Sequence, residues 1–161
     1  MNFINNKLYN IKKNFFNNYV IFPFNYKYYN TAKNNIKFIL ENHKDLNDYN
    51  FIYEYRIKNI FKIFKKILNK RLPYDIFGIR IIYNNTKNFN DTESAYLIKN
   101  IIEEKYNVID RYYDDYIHNP KMNNYQSLHI YILYYILIEI QIRNINMHYI
   151  AVNGTASDWN Y

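Results

Sequence analysis

A chain of 161 residues with 49% hydrophobic residues has room for one domain with a real core, and two separate cores are not expected. The absence of cysteine excludes disulfides, thiol nucleophiles and thiolate metal sites together, and fits a reducing compartment. A formal charge of +7 and a pI near 9.3 suit polyanionic partners, although the wealth of Asn, Lys, Ile and Tyr also fits a genome drifting toward A/T-rich codons.

Residues 1–40 carry no acidic residue and six lysines, Lys7, Lys12, Lys13, Lys27, Lys33 and Lys37. Acid-poor, basic N-termini resemble organelle transit peptides; the plainer reading is an irregular or helical extension. Cytosol and a plastid-type organelle both stay open as compartments. Over 51–70, Ile57, Ile60, Phe61, Phe64, Ile67 and Leu68 recur at helical spacing, with Lys58, Lys62, Lys65 and Lys66 on the opposite arc. The spacing predicts a helix, with Arg56 inside its apolar arc, where a charge needs a partner or a ligand.

Asp75 to Tyr83 reads as an isoleucine-rich strand, with Gly78 as a candidate bulge. Thr92 to Tyr106 reads as a helix with Thr92 or Asp91 as its cap. Val108 to Tyr113 reads as a short strand, and His118 to Asn124 as a loop marked by Asn119-Pro120 and Asn123-Asn124. Leu128 to Arg143 reads as a hairpin turning near Tyr134 and Tyr135, without a good turn residue, and Asn146 to Val152 as helical. The longest apolar run, Ile130 to Ile138, is too short to span a bilayer as a helix, and no membrane partner is expected. Strands interleaved with helices predict an α+β domain with a mixed sheet of about five strands flanked by helices.

Glycine occurs only at Gly78 and Gly154, so glycine-rich phosphate loops are excluded. Among the four histidines no metal-ligand spacing such as HExxH occurs. The sharper signal is Glu139-Ile140-Gln141-Ile142-Arg143, where strand alternation sends Glu139, Gln141 and Arg143 to one face. In so apolar a strand both faces read as buried, and a buried carboxylate needs a partner or a hard cation such as Mg²⁺. A solvated hairpin face is the plainer alternative. Asp75 alone reads as a strand-entry residue. The basic helix face reads as solvated or as a binder of RNA or triphosphate. Tyr125 reads as packing or as a platform for a base.

The order of these segments resembles the synthetase domain of the RelA/SpoT family of alarmone synthetases. Arg56-Ile57-Lys58 through Lys65-Lys66 is similar to the family's RIKS…YKK segment, and Asp75 to Arg80 to its DLxGxR strand. Asp115-Tyr116-Ile117, Asn119-Pro120-Lys121 and Asn123 to His129 resemble its DYI-xxPKxNGYQSLH block. Glu139 to Arg143 matches ExQIR, and Met147-His148, Ala151, Gly154, Ala156 and Trp159 match MHxxAxxGxAxHW. The chain departs from the pattern at Lys62, Asp114, Asn124 and Asp158; Asn124 replaces a glycine and still tolerates positive φ.

The resemblance implies a nucleotidyltransferase-like fold over residues 50–161, with residues 1–49 as an N-terminal extension holding a first helix. It implies Mg²⁺-dependent transfer of pyrophosphate from ATP to the 3′-hydroxyl of GDP or GTP, giving (p)ppGpp. Asp75 and Glu139 would be catalytic and hold the metal. Arg56, Lys58, Lys66 and Arg80 would bind ATP. Lys121, Asn123, Tyr125 and His129 would bind the acceptor nucleotide, with Gln141 and Arg143 as the floor. No His-Asp pair exists for a hydrolase site; a complete chain would resemble a small synthetase-only form, whose relatives can form homo-oligomers, and a fragment would be the synthetase core of something longer. A non-enzymatic nucleotide- or RNA-binding module derived from the fold is the alternative.

Overall fold

The computed structural model describes residues 22–58, 76–88 and 91–154. The order is helix α1 (Phe22–Glu41), a 3₁₀ turn (Lys44–Leu46), strand β1 (Tyr49–Ile57), strand β2 (Phe77–Asn85) and helix α2 (Ser94–Glu103). Then come β3 (Asn107–Val108), a second 3₁₀ turn (Asp110–Tyr112), β4 (Asp114–Asp115), β5 (Leu128–Tyr134), β6 (Ile136–Asn144) and α3 (Ile145–Asn153). The strands form one mixed sheet in the order β1-β2-β6-β5-β3, with β4 also paired to β5. Among the described residues only β2 and β6 run parallel; the other pairs are antiparallel. This is the expected α+β class, with six strands, two of which hold only two residues each.

Alternation along the central strands separates the two faces. Phe77, Ile79, Ile81 and Tyr83 of β2, Ile138, Ile140 and Ile142 of β6, and Leu128, Ile130 and Ile132 of β5 are all buried. They meet Tyr29, Ala32, Ile36 and Leu40 of α1 and Ala95, Ile98, Ile101 and Ile102 of α2, two stripes at helical spacing. The first helix expected within residues 1–49 is thus α1, and it belongs to the core. The Tyr29 hydroxyl donates to the Gly78 carbonyl at 2.6 Å, tying α1 to the backbone of β2. Burial pushes that hydroxyl up to about 12, so it stays a donor.

The helix expected over 51–70 is corrected at its start. Phe51 to Ile57 are strand, because a β-branched and aromatic run with Glu54 and Arg56 at period two pairs residue for residue with β2. The helical rhythm begins only at Ile57, and residues 59–75, including Lys66 and Asp75, lie outside the described residues. Gly78 is no bulge, since the ladders on both sides of β2 run through it unbroken. The expected strand from Val108 shrinks to Asn107–Val108 and gives way to a 3₁₀ turn.

The remaining elements stand near their expected positions, with the helix expected over Thr92 to Tyr106 shortened to Ser94–Glu103. The Asp91 carboxylate accepts the Ser94 backbone N–H at 3.0 Å at the start of α2. Asn144 caps α3 by accepting from the Met147 N–H at 2.8 Å. The hairpin turns at Tyr135, whose φ of 56° is a conformation usually left to Gly or Asn. Its ring stacks on Tyr28 with centroids 4.4 Å apart, a contact that offsets part of the backbone cost.

Candidate active site

The side of the sheet away from the isoleucines carries nearly all the candidate chemistry. Register places Arg56, Gly78, Glu139 and Tyr131 in one row across four strands. The next row holds Glu54, Arg80, Gln141, His129 and Asp114. The third brings Ile52, Ile82 and Arg143 together. Residues distant in sequence become neighbours because β2 and β6 pair in parallel: Arg80 Nε donates to Gln141 Oε1 at 3.1 Å across a separation of 61 residues.

A pocket of about 280 Å³ opens on this face, lined by Glu54, Tyr55, Arg56, Gly78, Ile79, Arg80, Glu139 and Gln141. Gly78 keeps its floor bare. A Cβ there would lie 3.8 Å from both the Arg56 Cβ and Glu139 Oε2, so any side chain would fill the space between guanidinium stem and carboxylate. Arg56 is exposed, in contrast to the buried helical position expected for it. Strand geometry gives it the same neighbourhood as Glu139.

Glu139 is mostly buried, its side chain 16% exposed, and its Oε1 lies 3.4 Å from His129 Nδ1. The Tyr125 hydroxyl lies 2.9 Å from His129 Nε2. If the hydroxyl donates, the ring proton sits on Nδ1, facing the carboxylate. Tyr125, His129 and Glu139 therefore form a line from loop to strand. Burial pushes the Tyr125 hydroxyl up, against the pull of nearby Arg143, so it enters that line protonated.

The loop from Tyr116 to Ser127 holds three of the expected acceptor residues, Lys121, Asn123 and Tyr125, and His129 follows on β5. Asn123 accepts the Tyr125 backbone N–H through its side chain at 3.3 Å, and Asn124 takes φ 60°. The pair of asparagines thus makes the turn that a glycine usually supplies. Lys121 is exposed, its ammonium 4.3 Å from the Tyr116 ring centroid and 5.3 Å from that of Tyr125. The rings of Tyr116, Tyr125 and His129 meet edge-on, with centroids 5.2–6.0 Å apart. Asp115 anchors the loop base by accepting the backbone N–H groups of Ile117 and His118 and the Tyr96 hydroxyl.

Arg143 is 1% exposed, and its Nη2 reaches His148 Nδ1 at 2.8 Å. Its Nε is buried without a hydrogen-bond partner. Burial, reinforced by the nearby Arg80 charge, pulls the guanidinium down to about 10, so it stays cationic at neutral pH. Burial and the Arg143 charge also lower His148, which keeps the imidazole neutral and able to accept.

The structure thus brings together Arg56, Arg80, Glu139 and Gln141 around the pocket, with His129, Tyr125 and Arg143 beside them. Lys58, half-buried, follows β1 directly, and its backbone N–H bonds the Ile76 carbonyl at 2.8 Å. Sequence reasoning passed over Glu54 and His148 as site residues. Glu54 is two residues before Arg56, and period-two alternation finds it once β1 is recognised as a strand.

Glu139 also bears on the metal question. Its carboxylate is a hard oxygen donor beside open space over Gly78, which fits a Mg²⁺ held by one or two carboxylates and substrate phosphates. Among the described residues no group of three or more His, Asp or Glu side chains could hold a metal on its own.

The model for a region found in RelA / SpoT proteins matches residues 55–161. A GTP pyrophosphokinase of Photobacterium angustum is 35% identical over 109 residues, covering 66% of this chain and 14% of the relative. A chloroplastic protein of Arabidopsis thaliana, named as a probable GTP diphosphokinase, is 34% identical over 112 residues, 66% of this chain and 15% of the relative. The chain therefore spans only a small part of the curated relatives it matches. Among solved structures, small alarmone synthetase 2 of Bacillus subtilis superposes with a TM-score of 0.62 at 27% identity, covering 78% of this chain and 72% of that one.

Proposed function

The chain belongs to the RelA/SpoT family, and from that premise we propose that it is a GTP diphosphokinase. It would transfer the β,γ-pyrophosphoryl group of ATP to the 3′-hydroxyl of GDP or GTP. The observation that carries this reading is the row Arg56–Gly78–Glu139, where a shielded carboxylate and an arginine flank a bare floor, with Arg80 in the next row.

In this reading Arg56 and Arg80 bind ATP from the β1–β2 side, with Lys58 and Lys66 on the phosphates. The acceptor enters from the β5 side, its guanine against Tyr125 and its phosphates near Lys121, Asn123 and His129. The 3′-oxygen attacks the β-phosphorus, the bond from that phosphorus to the α,β-bridging oxygen breaks, and AMP leaves. Glu139 takes the hydroxyl proton, its carboxylate oriented by His129. Mg²⁺, held by Glu139 with Asp75 and the phosphates, would supply charge neutralisation. Gln141 keeps Arg80 aimed along the sheet, and Arg143 adds positive potential from beneath.

The test is labelled ATP with GDP or GTP and Mg²⁺, followed by separation of products. AMP and (p)ppGpp formed in equal amounts are expected. A folded protein that binds nucleotide or RNA tightly and gives no product would establish the binding-module alternative instead. No (p)ppGpp hydrolysis is expected. Homo-oligomerisation is a further expectation, read by light scattering.

A further inference from the structure

The proposed reaction assigns no role to Glu54, yet its carboxylate sits among the pocket's cations. Glu54 Oε2 is 2.5 Å from Arg80 Nη1. Its Oε1 is 3.9 Å from His148 Nε2, and His148 in turn is held by buried Arg143. One carboxylate thus spans two positive arms, an arginine of the pocket and the His148–Arg143 pair. The contact is open to water: the Glu54 side chain is 44% exposed and Arg80 24%.

Charge makes the arrangement informative. The pocket lining holds Glu54 and Glu139 against Arg56 and Arg80, so it is neutral overall. A nucleoside triphosphate brings several negative charges to it. Glu139 has a reason to be there under the proposed reaction. Glu54 has none as a substrate contact, because a second carboxylate repels phosphate oxygens at close range.

We propose that Glu54 is an internal anion. It holds Arg80 where a phosphate would bind and is displaced when the donor's polyphosphate enters, which sets the affinity of the pocket for the triphosphate. The inference rests on the assignment of Arg80 to the ATP site. A half-exposed ion pair contributes little stability, so the carboxylate is easily displaced. Its charge stays near the bound phosphates and weakens their hold. The plain competitor is that Glu54 presents Arg80 to the ligand, in which case its loss would weaken binding.

Calorimetric titration of the full chain in Mg²⁺ decides between them, with ATP, AMP and inorganic tripolyphosphate as probes. Glu54→Gln keeps the side-chain shape, and Glu54→Thr supplies a second uncharged variant suited to a strand. Both variants should bind ATP and tripolyphosphate about two- to tenfold more tightly than the parent chain. AMP should change less than twofold, and the gain should shrink as salt rises. Unchanged or weaker ATP binding in the variants, or an equal gain for AMP, would overturn the inference while product formation by the parent chain left the proposed function standing. Absence of both ATP binding and product in parent and variants would remove the proposed function, and this inference with it.

Discussion

The two faces of the sheet are built from the same strands and follow opposite rules. On one, Ile79, Ile81, Ile138, Ile140, Ile142 and Ile130 are buried at 0–1% exposure, chemically interchangeable and held by shape alone. On the other, side chains one position along are mostly polar, and several touch a named partner: Arg80 with Gln141 and Glu54, Glu139 with His129, Arg143 with His148. Stability and chemistry are thereby divided between odd and even positions of single strands. Neighbouring residues should fail in different ways.

The sharpest break of that division is the pair Glu139 and Ile140. Glu139→Gln should lower product formation by about 10²–10⁴-fold, the range for loss of a general base. Its urea midpoint should stay near that of the parent, and so should ATP binding by calorimetry; undiminished turnover would remove Glu139 from the chemistry. Ile140→Ala, one residue on, should cost about 2–5 kcal/mol of stability through the cavity it leaves. At a temperature where the variant is folded, turnover should be largely kept, which a joint denaturation and activity series reads directly.

A smaller effect tests the loop side of the polar face. Tyr125→Ala should cost about 1–3 kcal/mol of acceptor binding by loss of a stacking surface. Tyr125→Phe keeps the ring, so it should leave acceptor KM within about twofold and lower kcat by up to about tenfold through the lost hydrogen bond to His129. Equal effects of both variants on KM would show that the hydroxyl binds substrate rather than supporting His129.

Asp91 lies at the start of α2, a helix of the apolar face, and contributes to its acid sensitivity. Burial pushes the Asp91 carboxyl up, but hydrogen bonds from Ser94, Asn85 and Tyr49 outweigh it and hold the group below the usual carboxylate range. A depressed folded-state pKa contributes stability that is present above the unfolded value, about 3.9, and is lost as pH falls through the folded value. Asp91→Asn should therefore cost about 1–2 kcal/mol at neutral pH. Its urea midpoint should converge with that of the parent as the pH drops below about 4.

Glu139, Gln141 and Arg143 were legible as one face because period two in an apolar strand admits no other arrangement. What was not legible was strand β1. Phe51 to Ile57 belong to β1, but Ile57 also opens a helical rhythm, and a single sequence does not show which period wins where two overlap. Glu54 was missed for that reason and Arg56 was misplaced. The turn at Tyr135 lacked a signal because it rests on ring stacking with Tyr28, a contact from a distant helix. Thr92 or Asp91 was read as the cap; Glu93 takes that position, Asp91 accepts the Ser94 N–H, and its bonds to Tyr49 and Asn85 required the fold. Asp75 and Lys66 lie outside the described residues, and their roles stay with the resemblance.

The parallel pairing of β2 with β6 has a consequence for how the protein can err. Gly78 faces Glu139 only in one register, and a slip by one residue would turn Glu139 and Gln141 into the packed layer beneath α1 and α2. Burying that carboxylate without a partner would take a large share of the roughly 5–15 kcal/mol by which a domain is stable. The isoleucines therefore act as a ruler. They measure the distance between pocket-lining groups on two strands far apart in the chain, and a molecule that has packed its core has already aligned its pocket.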